Sequence, residues 1–269
     1  MRWAWSPAGV MATLALVCTA PAHAQIRKGC NGINYVGGDS SNPFTAEYVT
    51  TSTTPNPAGV PKTSVLREDV ARDSQGRIRF EKHGVTRLRD ERRTVTLETT
   101  DGKRFTVTRE EFGTLIDIFD CASGTSVILQ PGLRIAKVQE GNGEAATEPI
   151  KHAYSAAYIP GPGVKMPPNM SVEQLGTREI QGISARGMRT TTLGTEKDED
   201  WNGKPIRETE LWVSDVLAAQ ILKVDKDLRA GSQGVSELTE IKREEPDPTL
   251  FNIPKDYEVN PKIPPHIKD

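Results

Sequence analysis

From Phe44 onward the sequence is a series of short β-forming runs separated by turn signals, and this pattern limits what the chain can fold into. In the run Gly76–Lys82, Ile78 and Phe80 alternate with charged residues, so one side is apolar and the other charged. A half-buried antiparallel strand has this alternation. Asp101-Gly102 separates two further runs and suits a tight type I′ hairpin turn. The pattern therefore predicts a mainly β fold built from antiparallel hairpins.

The predicted strands fall in one domain, residues 44–259. They are Phe44–Thr54, Lys62–Asp73, Gly76–Lys82, Thr94–Leu97, Phe105–Thr108, Leu115–Asp120, Thr125–Gln130, Leu133–Val138, Gln174–Ile180, Ile183–Leu193, Pro205–Val213, Ala219–Asp225 and Gly234–Arg243. Residues 139–172 interrupt the series as either a surface excursion, with a short helix at 148–158, or a linker between two β halves. A helical turn from Asp247 is expected to place Leu250 and Phe251 on the core. Residues 25–43 are predicted to be a flexible lead-in, and 260–269 a polar tail.

The first 24 residues have the features of a signal peptide. Arg2 provides positive charge, Ala8–Ala20 is a short apolar run, and Ala22 and Ala24 place small residues before a cut at Gln25. We therefore predict cleavage between Ala24 and Gln25 and export to the periplasm or beyond. Cys18 is a poor lipid-attachment candidate because large residues precede it. No apolar stretch of about 18 residues follows the leader, so no transmembrane anchor is predicted.

Two of the three cysteines, Cys30 and Cys121, would remain after cleavage. In an oxidising compartment, an even number of cysteines favours a disulfide bond. Such a bond would close a loop of about 90 residues and would stabilise the fold by roughly 4 kcal/mol in the chain-entropy model. The alternative is two unrelated thiols, one of them buried.

The charge balance argues against a nucleic-acid partner. The chain has 34 Lys and Arg residues against 36 Asp and Glu residues, a formal net charge of −2. Even the most charged stretch, Arg87–Glu111, nearly cancels, so no basic patch is available to attract a phosphate backbone. No phosphate-binding glycine motif is present, and we expect no cofactor.

Catalytic and metal-binding motifs are scarce. Histidine is rare and none lies in an HExxH motif, and no GxSxG nucleophile elbow is present. The weak metal candidate is Asp198, Asp200 and Asn202, whose alternate oxygen ligands followed by Gly203 resemble a calcium loop. Thr209 stands where such a loop needs its last acidic ligand, so a hydrated hairpin loop is the alternative interpretation. The sequence thus leans towards a protein that is not an enzyme.

Most of residues 44–257 resembles an uncharacterised family of secreted bacterial proteins. The matching segments are Val70–Arg79, Leu175–Gly182, Ala185–Thr191, Gly203–Ile206, Glu210–Asp215, Glu245–Phe251 and Ile253–Tyr257. Leu211 stands where the pattern has Arg, and Asp225-Lys226-Asp227 replaces its Asp-Pro-Arg. The resemblance implies a curved antiparallel sheet with a few short helices, similar to the half-barrel of periplasmic lipoprotein carriers. It implies no catalytic residues.

These observations lead to three hypotheses of function. The first is an exported, non-catalytic binding or scaffold protein of the cell envelope. It would hold an apolar ligand or a segment of an envelope protein on a cleft lined by Phe44–Thr54, Gly76–Lys82 and Ile183–Leu193. The second is a carboxylate- or metal-dependent hydrolase, which would need several acids converging in one pocket. The third is a passive structural module with neither cleft nor convergent site.

Overall fold

The computed structural model of this 269-residue protein describes residues 42–84, 94–99, 102–120, 122–140, 166–262 and 266–267. Fifteen strands are present in this part of the chain. They are β1 Phe44–Thr54, β2 Lys62–Arg72, β3 Arg77–Lys82, β4 Thr94–Glu98, β5 Arg104–Thr108, β6 Leu115–Asp120, β7 Thr125–Gln130, β8 Ile135–Gln139, β9 Met170–Ile180, β10 Ile183–Leu193, β11 Pro205–Ser214, β12 Ala219–Asp227, β13 Ser232–Lys242, β14 Glu258–Val259 and β15 His266–Ile267. The strands predicted from alternation are confirmed, although β9 begins four residues before the predicted Gln174.

Twelve strands form one curved, open sheet in the order β14-β8-β7-β6-β3-β2-β1-β13-β12-β11-β10-β9. All neighbours are antiparallel except β14 and β8, which run parallel. The register shifts in four pairings: β1 with β13, β9 with β10, β10 with β11, and β11 with β12. Such irregularities bend and twist a sheet locally. The prediction of a mainly β, curved antiparallel sheet is confirmed.

The central strand β1 joins the two halves of the large sheet. It pairs with β2, its neighbour in sequence, and with β13, which follows almost 180 residues later in the chain. The largest apolar cluster gathers residues of both halves: Phe44, Ala46, Tyr48, Val70, Ile78, Phe80, Phe119, Ile183, Ala185, Trp212, Leu217, Ala219, Ile221 and Leu238. Both halves therefore share one core.

A second apolar cluster lies on β6, β7 and β8 and is covered by the carboxyl-terminal segment. Ile116, Ile118, Leu129 and Ala136 belong to it, with Ala71 and Phe251. A short 3-10 helix, Pro248–Phe251, delivers Phe251, and the side chain of Asp247 accepts a hydrogen bond from Thr249 N at its start. The predicted helical turn from Asp247 is confirmed, and Leu250 also packs against this cluster.

A second, three-stranded sheet has the order β15-β4-β5, and its strand pairing is separate from that of the large sheet. The single α-helix of the described residues, α1 (Arg109–Gly113), follows β5 directly. It begins at a capping box in which Thr108 and Glu111 exchange side-chain and backbone hydrogen bonds. We did not predict this helix, although Thr-x-x-Glu is visible in the sequence.

Several predictions concern residues outside the described ranges. These are the signal peptide with its cut between Ala24 and Gln25, the lead-in, the helix at 148–158, and the cysteines Cys30 and Cys121. They remain predictions. Within the described ranges, no helix has the length and apolar character needed to cross a membrane.

Candidate functional site

Strand β2 changes from exposed to buried halfway along its length. Its first half, Lys62–Arg67, is exposed at every position, on both sides of the strand. From Glu68 to Arg72 the strand is buried except at Asp69. The change coincides with β3, which pairs with Glu68–Arg72 only. β3 ends at Lys82, and Gly84 adopts a φ of +70°, a conformation that suits glycine.

A group of polar side chains lies at the point where β2 becomes buried. We call Tyr48, Glu68, Lys82 and Asp117 the inner polar cluster. Glu68 lies opposite Tyr48 on one neighbouring strand and opposite Lys82 on the other. Asp117 lies opposite Phe80, which shares a face of β3 with Lys82. The antiparallel register therefore brings four strands to one polar spot beside the main apolar cluster.

Lys82 is the cation that faces both acids of the inner polar cluster. Its Nζ donates to Asp117 Oδ2 at 2.8 Å and lies 4.0 Å from Glu68 Oε1. The two carboxylates are almost completely buried, at 5% and 1% side-chain exposure. Burying an isolated charge is strongly unfavourable, so the nearby ammonium group stabilises the burial of the two acids. A lysine paired with buried acids is typical of a structural ion pair.

Tyr48 completes the cluster with a hydroxyl network. Gln220 Nε2 donates to Tyr48 Oη, and Ser236, which also contacts Tyr48, shares a 2.9 Å hydrogen bond with Thr50. Burial raises the pKa of Tyr48 well above its usual value, and the negative charge of Glu68 adds to the effect. The phenol therefore stays protonated and acts as a hydrogen-bonding group. Tyr48, Glu68 and Lys82 each have further partners besides those named here.

The exposed half of β2 carries apolar side chains that point to solvent. Val65 is 55% exposed and Leu66 is 39% exposed, and Val60 in the preceding loop is 73% exposed. Leu228, 37% exposed, lies in the turn between β12 and β13. That turn touches the β1–β2 loop, since a Cβ on Gly231 would lie 3.2 Å from Pro55 Cγ. We call Val60, Val65, Leu66 and Leu228 the apolar rim.

The apolar rim concentrates the exposed apolar surface of the described residues at one end of the sheet. Of the six exposed large apolar side chains in the described residues, four belong to the rim, and Val216 and Val259 lie elsewhere. Single exposed apolar residues are ordinary on soluble proteins, so the grouping of four at one end of the sheet makes the rim a candidate interaction site. The rim ends and the inner polar cluster begins between Arg67 and Glu68, so β2 contributes residues to both.

The strands predicted to line an apolar cleft do share one cluster, but their side chains fill it. Phe44 and Ala46 of β1, Ile78 and Phe80 of β3, and Ile183 of β10 are all 0–8% exposed. This part of the face is packed core. The exposed apolar surface lies further along the same hairpin, on β2, which the sequence reasoning did not select.

The calcium candidate lies in a short 3-10 helix, Glu196–Trp201, and the turn after it. Both carboxylate oxygens of Asp198 accept hydrogen bonds, from Thr195 N at 2.8 Å and from Arg229 Nη1 at 2.9 Å. These bonds, the one from Thr195 first, lower the pKa of Asp198. Asp200 contributes its backbone oxygen to Lys204 Nζ, and Asn202 forms a bridge with Gly194. A calcium ion at this loop would compete with these hydrogen bonds for the Asp198 carboxylate, and the site at Asp198, Asp200 and Asn202 remains a prediction.

Within the described part of the chain, no group of three or more His, Cys, Asp or Glu side chains could hold a metal ion. The residues of the inner polar cluster were missed from the sequence, although a signal was present. Lys82 follows Ile78 and Phe80 at the same two-residue spacing, and Asp117 stands two before Phe119. A charged residue on the apolar side of a strand indicates a buried partner of opposite charge.

Comparison with known proteins gives a likeness of fold. No protein-family model and no curated protein matches the sequence. An uncharacterised conserved protein from Thermus thermophilus matches at 10% identity and a TM-score of 0.40, over 81% of this chain and 90% of that one. A LolA superfamily protein from Nitrosomonas europaea matches at 11% identity and a TM-score of 0.25, over 79% and 91%.

A complex of MucA and MucB from Pseudomonas aeruginosa also matches, at 11% identity and a TM-score of 0.34. The match covers 82% of this chain and 59% of the other. The likeness to periplasmic lipoprotein carriers expected from the sequence is thus found among solved structures. Similarity of fold at this level carries no argument about function.

Proposed function

We propose that the protein is an exported, non-catalytic binding or scaffold protein of the cell envelope that holds a partner protein on the apolar rim. The observation that carries the proposal is the exposure of Val65 and Leu66 on neighbouring positions of a regular strand. Burying these two side chains and Val60 against a partner would be favourable by roughly 1.5–3 kcal/mol for each side chain fully buried. The export and the cell-envelope location rest on the features of the first 24 residues.

A protein partner fits the geometry better than a small apolar ligand. A ligand pocket is concave and encloses most of its ligand. The strands expected to form such a cleft instead contribute side chains to the packed core. The apolar rim, by contrast, spans the β1–β2 hairpin and the neighbouring β12–β13 turn. A surface of this shape suits another macromolecule.

The test compares two sets of serine substitutions. The rim variant replaces Val60, Val65, Leu66 and Leu228, and the matched control replaces Val216 and Val259, the exposed apolar residues outside the rim. Each tagged protein is purified from the envelope of the native cells after lysine-specific crosslinking. Mass spectrometry then identifies the crosslinked peptides and any lipid that purifies with the protein.

The proposal expects one protein to be recovered with the natural protein and the control, lost with the rim variant, and crosslinked through Lys62, the exposed lysine nearest the rim. Recovery of the same protein with the rim variant would overturn it. So would the absence of any specific protein, or a stoichiometric lipid that remains bound to the rim variant.

A further inference from the structure

The direction of the backbone hydrogen bonds in β2 can be read from the hairpin that connects it to β3. Asp73 N donates to Arg77 O at 3.1 Å, so Asp73 directs its backbone groups towards β3. In an antiparallel sheet, alternate residues direct both N–H and C=O to the same neighbour. No register shift interrupts β2 on either side. The odd-numbered residues of β2 therefore face β3, and the even-numbered ones face β1.

This alternation continues into the exposed half of β2. Thr63, Val65 and Arg67 direct their N–H and C=O groups to the side on which β3 has already ended. The 3.4 Å contact from Thr54 Oγ1 to Lys62 O is consistent with the even-numbered residues facing β1. Among the residues that the structure describes, no strand lies beside Lys62–Arg67 on the β3 side. The exposed half of β2 thus has three residues, Thr63, Val65 and Arg67, whose backbone N–H and C=O groups point to the β3 side.

We propose that the partner binds by adding an extended segment as a strand along Lys62–Arg67, collinear with β3. This inference rests on the proposed function and specifies its mode. Strand addition obtains affinity from main-chain hydrogen bonds and specificity from alternate side chains. Leu66 lies on one face of β2 and Val65 on the other, so the segment needs neighbouring apolar residues, one for each face.

The charges of the exposed half indicate which segment fits. Lys62–Arg67 contains two basic residues and no acidic residue. Arg67 is already paired with Glu47 at 2.5 Å, whereas Lys62 lies at the open end. Opposite charges across two strands stabilise their pairing, and like charges oppose it. The fitting partner is therefore an extended segment of another protein with adjacent apolar residues and an acidic residue placed to face Lys62.

The experiment separates backbone contacts from side-chain contacts at one position. Random octapeptides displayed on phage are selected on the natural protein, and the enriched peptide is synthesised for affinity measurements. Val65→Pro removes the outward N–H without breaking a bond to β1, and proline is tolerated at such edge positions. Val65→Thr is the matched control, since it keeps the N–H and the branched shape. Thr63→Pro repeats the test at the next outward-facing residue.

The proposal expects both proline variants to bind the peptide at least roughly tenfold more weakly than Val65→Thr does, with unchanged circular dichroism. Methylating alternate peptide amides should abolish binding at one set of positions and spare the other. Equal affinities for Val65→Pro and Val65→Thr, or no enriched peptide at all, would overturn strand addition. The proposed function is tested separately, by the crosslinking comparison of the rim variant with its control.

Discussion

The contact between Gly187 and Trp212 gives a stability prediction that follows from the geometry. The two residues lie opposite each other on β10 and β11. The indole ring covers the glycine so closely that a Cβ at position 187 would lie 2.5–2.7 Å from three ring carbons. Ordinary contacts are at least 3.4 Å. Gly187→Ala therefore requires the ring to move by roughly 1 Å.

The ring has little freedom to make this movement. Trp212 is 4% exposed, and its Nε1 donates to Glu210 Oε1 at 2.6 Å. The guanidinium of Arg178 lies 3.9 Å from the ring centroid. Overpacking of a core costs about 1–3 kcal/mol, and a weakened hydrogen bond adds about 1 kcal/mol. We expect Gly187→Ala to lower the free energy of unfolding by about 2–4 kcal/mol, a fall in Tm of roughly 5–15 °C.

Urea denaturation followed by circular dichroism measures this effect. Gly234→Ala on β13 is the matched control, because a Cβ there would meet nothing within 4 Å. A double-mutant cycle with Trp212→Leu tests the cause, since removing the large ring should remove most of the cost of the added methyl group. The ring-contact explanation is refuted if Gly187→Ala and Gly234→Ala change the free energy of unfolding by the same amount within about 0.5 kcal/mol, or if the cycle shows no coupling. The contact with the indole ring would then not be the reason for a glycine at position 187.

Three further predictions concern other parts of the fold. Lys82→Met should destabilise the protein by about 3–5 kcal/mol in urea denaturation, because it leaves buried acids without their cation, whereas Lys82→Arg should recover most of the loss. Phe251→Ala should cost about 3 kcal/mol in the same assay by exposing the second apolar cluster, and a cost below about 1 kcal/mol would show that the carboxyl-terminal segment does not seal it. Burial alone would raise the pKa of Asp225, but the hydrogen bonds and the positive charge of Arg207 outweigh burial and lower the pKa below the usual 3.8. The ionised carboxylate therefore stabilises the folded state above pH 3.8, and this stabilisation is lost as the pH falls further. Asp225→Asn should therefore cost about 1–2 kcal/mol at pH 7 and reduce the loss of stability between pH 4 and pH 2, and an unchanged pH profile would contradict the assignment.

The strand pattern made most of the sheet predictable. Alternation with a period of two fixes which residues of β3 face the core, so Ile78 and Phe80 were placed correctly. The partners of a strand are harder to infer, because they depend on contacts between distant segments. The pairing of β1 with β13 is an example that no local signal announces.

The candidate site was less accessible to sequence reasoning for a physical reason. Val65 and Leu66 are typical strand residues, and their exposure follows from where β3 ends rather than from their own identity. The length of the β2–β3 pairing sets that point, and the sequence of either strand alone does not reveal it. Lys82 could have been recognised as buried from its spacing, but its pairing with Asp117 required the register of β3 and β6.

The position of β13 in the sheet also constrains the order of assembly. Thr50 faces Ser236 across the β1–β13 ladder, so the middle of the sheet joins residues separated by most of the chain. Contacts of such long sequence separation form slowly, because a large loop must close before they contribute. A ribosome that has released only the first 230 residues holds a chain without this ladder. The central sheet can therefore close only after β13 has been synthesised, whatever the earlier strands have already formed.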